Sequence, residues 1–237
     1  MNDFEENIDN NESENSQPWL MTFADMMTLL FAFFVLLYAM SSPDPVKMAA
    51  IEDAIAKEAG IKGELKSQSE IKEEIEDIVE EMDLHNVANV INDPRGVAIE
   101  LDGDICFGSG STKIQGKLKK ILNNVSDELL MNKNDYRMVI VEGHTDSQPI
   151  PNQLKNFFPT NWELSAARAS SVVNYLIGQG VNSGRLQASG YADRWPADVT
   201  WFEVRSGEVN DVVIAENNKT KQQMDKNRRI KIVFTNN

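Results

Sequence analysis

Residues 19–40, WLMTFADMMTLLFAFFVLLYAM, constrain this chain more than any other stretch in it. At roughly 1.5 Å per residue a helix of that length reaches about 33 Å, enough to cross a hydrocarbon core of about 30 Å. The stretch reads as a membrane span, and the one carboxylate inside it is Asp25. A carboxylate in that setting costs on the order of 2.5–3.5 kcal/mol on insertion scales, so it normally faces a protein partner or an ion path rather than lipid. Thr22, Asp25 and Thr28 recur every three residues and form a polar strip on an otherwise apolar helix. Two plainer readings stand beside this one. The span could be a cleaved signal peptide ending near Ala39-Met40-Ser41, against which stand its long apolar part, its acidic leader and Asp25 itself. It could also be only an anchor, with Asp25 an acid tolerated near its end.

The 237 residues leave room, once the span is removed, for one sizeable core and its connecting segments. With 37 acidic against 23 basic residues the net charge is -14, which argues against nucleic-acid binding. The single cysteine, Cys106, rules out an internal disulfide and a cysteine-rich metal site. Two histidines, His85 and His144, form no cluster with ligand spacing, and no Ser-His-acid set or glycine-rich phosphate loop stands out. The expectation is a protein that is not an enzyme and carries no cofactor.

Residues 1–18 hold six acids and no Lys or Arg, with little to bury, and are expected to be disordered. The first basic residue, Lys47, follows the span, so charge alone favours an N-terminus outside. Pro43 and Pro45 break the helix. Helical spacing resumes over residues 46–59, with Val46, Ala50, Ile51, Ala54 and Ile55 on one side. Such a short amphipathic helix lies on the bilayer, docks on a partner or packs into a soluble core. Residues 64–82 carry Ile71, Ile75, Ile78 and Met82 amid many acids, the pattern of a coiled-coil seam between two copies or of a solvated linker helix. Residues 85–94 lead into a different composition.

From Gly96 the pattern alternates between strands and helices. Val97, Ile99 and Leu101 predict a strand ending near residues 102–104, with 105–107 continuing it across the turn. A helix is expected over 115–131, a strand over 136–142, a helix over 162–176, and strands over 185–190 and 229–234. Residues 192–227 read as a long polar loop with at most a short element. The fold class is α+β, a mixed sheet with helices packed against it.

Three short motifs carry the chemistry of this region. Gly143-His144-Thr145-Asp146 leaves a buried strand at its C-terminal edge, where ligand sites of such sheets open. Asn161-Trp162-Glu163-Leu164-Ser165-Ala166-Ala167-Arg168-Ala169 begins a helix, and Asn227-Arg228-Arg229 precedes the last strand. Together they resemble the OmpA-like peptidoglycan-binding domain, over about residues 97–234. The resemblance implies that Asp146 takes the ammonium and Arg168 the carboxylate of a meso-diaminopimelate side chain, a two-donor fork suiting the latter. It places Thr145, Asn161 and Leu164 in the same pocket, Leu164 through its backbone, with Arg228 of the closing motif as a further basic position. It makes His144 structural. Without the resemblance, Asp146 and Arg168 would pass for an ordinary ion pair.

The N-terminal sequence P-W-L-x-T-F-A-D-M-M-T-L-L, joined through a linker to such a domain, resembles the B subunit of flagellar stators, the MotB/PomB family. The resemblance implies a cytoplasmic tail (1–18), a transmembrane helix (19–42), a periplasmic plug helix and linker (43–95) and the OmpA-like domain (96–237). The protein would sit in a bacterial inner membrane with its N-terminus inside, because a wall-binding domain must face the wall; this overrides the charge cue of Lys47. Two copies would sit inside a ring of MotA/PomA-type subunits, with Asp25 carrying a proton or sodium ion and Thr22 and Thr28 beside it. Val46, Ala50, Ile51, Ala54 and Ile55 would belong to the plug. Phe23-Ala24-Asp25 is closer to the sodium-type pattern than to the Y-A-D of many proton-type subunits. Alternatives are an ion-driven transducer used outside the flagellum and a plain membrane-tethered wall anchor.

Overall fold

The computed structural model describes residues 18–40, 51, 55 and 66–236. The chain divides into two units, 1–43 and 44–237. In the first, helix α1 runs Pro18–Met40. Residues Trp19–Tyr38 have the length and composition to cross a membrane and are exposed throughout, with aromatic and aliphatic side chains on every side. An exposed helix that is apolar apart from the strip of Thr22, Asp25 and Thr28 is covered in its working state by lipid or by other helices.

The second unit begins with α2 (Gln68–Glu81), started by a capping box in which Ser67 and Glu70 satisfy each other's main-chain donors. Strands β1 (Ala88–Asp93) and β2 (Gly96–Asp102) form a hairpin. A single helical turn, α3 (Gly103–Cys106), leads to α4 (Gly116–Val125), which continues as a wider π turn over Ser126–Leu130. Then come β3 (Val139–Gly143), α5 (Asn161–Gly178), β4 (Leu186–Gly190), three short helices α6 (Trp201–Ser206), α7 (Asp211–Glu216) and α8 (Lys221–Asn227), and β5 (Arg229–Thr235). The sheet order is β1-β2-β5-β3-β4. Only β3 and β4 are parallel, joined by α5 as a β-α-β crossover, so the sheet is mixed as expected.

Strand alternation divides the sheet into two faces. Val97, Ile99 and Leu101 of β2, Val139 and Val141 of β3, and Ile230, Ile232 and Phe234 of β5 point to the helices and form the main core. Glu100, Glu142, Arg229 and Lys231 point the other way. There Trp195 lies over them, with Lys231 Nζ 5.1 Å and the Arg95 guanidinium 5.8 Å from its ring centre.

Several expectations change. The helix expected as a seam or solvated linker is part of the domain: Ile71, Ile75, Ile78 and Val79 of α2 are buried in the main core, so the domain starts near residue 66 rather than 96. Edge strand β1 lies in residues to which the sequence assigned no element. Residues 105–107 do not extend β2; Asp102 caps a helical turn instead, and Phe107 bridges to Ile114. β3 begins at Val139 rather than at 136. Residues 192–227 hold three short helices, begun by Thr200, Asn210 and Thr220 as side-chain caps.

Candidate functional site

The site forms where the C-terminal ends of β3 and β4 press against the start of α5. A Cβ on Gly143 would lie 2.1 Å from the Ser165 carbonyl oxygen, and one on Gly190 2.6 Å from the Ala166 nitrogen. Only glycine lets both strand ends approach the helix so closely. Ser165 completes the joint: its hydroxyl donates to the Trp162 carbonyl and accepts from the Ala192 N–H. α5 itself starts with a capping box between Thr160 and Glu163. This packing brings the Gly143-His144-Thr145-Asp146 segment beside Asn161, Leu164 and Arg168.

Asn161 ties that segment down, its amide donating to the Asp146 carbonyl at 3.2 Å and the Gln148 carbonyl at 3.1 Å. The Thr145 N–H donates to the Ala192 carbonyl at 2.8 Å, while its buried hydroxyl has no partner. Leu164 is buried, and its N–H donates to the Thr160 carbonyl at 3.4 Å.

The Asp146 carboxylate accepts from the Gln148 N–H at 3.0 Å and from Arg228 Nη1 at 2.7 Å. Arg228 also donates to Asp225 at 2.6 Å and to Asp104 at 3.4 Å. Arg228, the first arginine of its motif, is thus the cation bonded to Asp146. Arg168 forms no ion pair with the described residues. It is only 6% exposed, its guanidinium donates to the Ser111 carbonyl at 3.1 Å and the Gly108 carbonyl at 3.4 Å, and it lies 5.3 Å from the centre of the Phe107 ring. Burial works against its charge and lowers its pKa, with Arg228 adding to the effect and Asp104 and Asp146 opposing it. The corner therefore holds one carboxylate already carrying a cation and one buried cation with only carbonyls.

Phe107, Gly108, Ser111, Asp104 and Asp225 were not singled out from the sequence. They lie outside its motifs, although an aromatic followed by a Gly-Ser run near a strand exit was a usable signal. The other two members of Asn227-Arg228-Arg229 are structural. Asn227 accepts from Ala197 N–H and donates to Asn217 and Asn218, and Arg229 donates to the Trp195 carbonyl and Glu100. His144 is buried, stacked on Tyr191 at 5.3 Å between ring centres, with neither nitrogen hydrogen-bonded.

In α1, the Thr22 hydroxyl donates to the Trp19 carbonyl at 2.9 Å and that of Thr28 to the Asp25 carbonyl at 2.8 Å. Both hydroxyl oxygens keep their acceptor capacity. Of the residues expected to form a plug, Ile51 and Ile55 are helical and exposed; Val46, Ala50 and Ala54 lie outside the described residues, as does the tail 1–17.

Residues 5–58 match a family model described as membrane MotB of the proton-channel complex MotA/MotB, and residues 106–206 match the OmpA family. The chain is 31% identical over 241 residues to an uncharacterized protein of Bacillus subtilis, YtxE, covering 94% of this chain and 90% of that one. It is 25% identical to Motility protein B of the same species, covering 92% and 90%. Among solved structures, a MotB-like protein of Desulfovibrio vulgaris superposes with a TM-score of 0.57 at 19% identity, over 72% of this chain and 91% of that one. The cell wall anchor of the type VI secretion system of Pseudomonas aeruginosa does so with a TM-score of 0.51 at 24% identity, over 68% and 96%. These two likenesses establish the fold. With its apolar N-terminal helix and its mixed-sheet domain, the chain belongs to the MotB family of non-enzymatic stator components, as a MotB-like protein with an OmpA-like domain.

Proposed function

We propose that this protein is the B subunit of an ion-driven stator that holds on to peptidoglycan while ions pass Asp25. The observation that carries the wall-binding half is Arg168, a buried guanidinium with two carbonyls and no carboxylate, in the same corner as Asp146. A buried fork with donors to spare calls for a carboxylate. Diaminopimelate offers a carboxylate and an ammonium on one carbon, for Arg168 and Asp146 respectively, with Thr145 and Asn161 shaping the pocket and Arg228 steadying Asp146.

In the membrane half, two copies stand within a ring of MotA-type subunits, N-termini in the cytoplasm and the OmpA-like domain on the wall side of the inner membrane. Asp25 exchanges a sodium ion or a proton with that ring, and the change in charge inside a low-dielectric setting biases the packing of the surrounding helices. One charge crossing supplies about 2.3 kcal/mol per 100 mV. Anchorage to the wall converts the resulting motion into torque.

The test is Asp25→Asn, which keeps the shape but cannot exchange a cation for neutrality. Ion flux and swimming should both be lost while the protein still assembles with its ring. Loss of flux without any effect on swimming moves the stator outside the flagellum. Unchanged flux reduces α1 to an anchor.

A further inference from the structure

Two neighbouring helices of the OmpA-like domain carry opposite charge. α2 exposes Glu73, Asp77, Glu80 and Glu81, followed by Asp83, and none of these five makes an ion pair with the described residues. Alongside it, α4 and the turn before it expose Lys113, Lys117, Lys119 and Lys120, with no acid anywhere in residues 113–124 and again no ion pair among the described residues. In a chain of net charge -14, four unpaired lysines in eight residues are a local reversal. The helices are joined at Asn124, whose amide donates to Met82 Sδ at 3.5 Å. Between them lies an open groove of about 510 Å³, lined by Met82, Asp83 and Leu84 on one side and Lys117, Lys120, Asn123 and Asn124 on the other.

Which partner suits such a face is decided by the adjacency. A polyanion drawn to the lysines would meet the α2 carboxylates a helix width away, and a polycation would meet the lysines. A surface with an acidic and a basic strip side by side is complementary to itself under a two-fold rotation, since each strip then meets the opposite one twice. We propose that the α2–α4 face is where two copies of this chain meet, the acidic strip of each against the lysine strip of the other. Two chains of charge -14 repel at long range, so this local match fixes register and orientation rather than driving encounter. Confinement of both copies in one complex supplies the effective concentration that a polar contact needs.

The proposal rests on the two-copy arrangement given above, and its test reads the contact separately from the stoichiometry. Two differently tagged full-length chains are co-expressed in membranes, one with Glu80→Cys and the other with Lys120→Cys; the native Cys106 is buried. Oxidation should give a disulfide-linked pair carrying both tags. Adding Lys117→Glu and Lys119→Glu to the second chain should cut the yield about tenfold, because like charges then face each other. Adding Asp77→Lys and Glu81→Lys to the first chain as well should restore it. Co-purification of the two tags without the disulfide, or a yield that ignores the reversals or is not restored, overturns this face while leaving the two-copy reading intact. Failure of the tags to co-purify overturns both.

Discussion

Arg228 Nη1 lies 2.7 Å from Asp146 Oδ2, while Arg168, in the same corner, bonds only carbonyls. On the proposed reading a ligand's carboxylate and ammonium would therefore meet unequal hosts: Arg168 has no carboxylate partner among the described residues, whereas Asp146 would share its carboxylate between Arg228 and the incoming ammonium.

Arg228→Gln should weaken pull-down with isolated peptidoglycan by about tenfold, less than the loss expected of Asp146→Ala. The substitution removes the bond that orients Asp146 and leaves Asp104 and Asp225 without their shared cation. Binding at the wild-type level would show that Arg228 plays no part in the pocket.

Arg168→Lys should lose peptidoglycan binding by more than tenfold while the domain keeps its melting temperature within a few degrees. An ammonium cannot offer the planar fork. No carboxylate bonded to Arg168 is left unpaired by the change, so the heavy penalty of a broken buried ion pair does not arise. Calorimetry and pull-down on the same preparation separate the two effects.

Stability should fall on acidification, in two stages. Burial pushes the His144 imidazole down to about 3 from 6.5. Burial works to raise the Glu142 carboxyl, but the Arg95 guanidinium bonded to it at 2.5 Å outweighs burial and holds it at about 2 against 4.5. Both folded values are depressed, so the unfolded chain binds more protons below pH 6.5, and stability is lost progressively from there towards pH 2. Each such proton is worth about 1.4 kcal/mol per pH unit. Melting curves should be flat near pH 7–8 and decline below 6.5, and His144→Phe should remove the part of the decline between 6.5 and 4.5.

Deleting residues 44–58 while overproducing the protein with its ring partner should leak ions and slow growth, and adding Asp25→Asn should stop the leak. The proposed plug follows the span directly, after two prolines. The few small aliphatics it offers would hold such a latch by only a few kcal/mol, at about 25 cal/mol per Å² of apolar area. Unchanged growth and ion levels, with normal assembly, would make the segment a tether.

The sequence by itself determined the span, Asp25 within it and the order of most strands and helices from Gly96 onward, because each rests on local periodicity or on a run of apolar residues. It also placed Gly143, Asn161 and Arg228 at the end or start of legible elements, but that their motifs converge was implied only by their resemblance to the OmpA-like domain. It did not determine the role of α2. A helix with Ile71, Ile75 and Ile78 on one side amid acids looks the same whether that side meets a second copy or a sheet, and only the fold of β1 and β2 beneath it settled the matter. Nor did it determine the partner of Asp146. Arg168 and Arg228 are both cations in motifs, and which one reaches the carboxylate depends on how β5 enters the sheet: Gly103 N–H donates to the Arg228 carbonyl at 2.6 Å, placing that side chain between Asp104, Asp146 and Asp225. Such choices belong to the tertiary structure because they turn on contacts between residues as far apart in the chain as 146 and 228, to which local periodicity is blind.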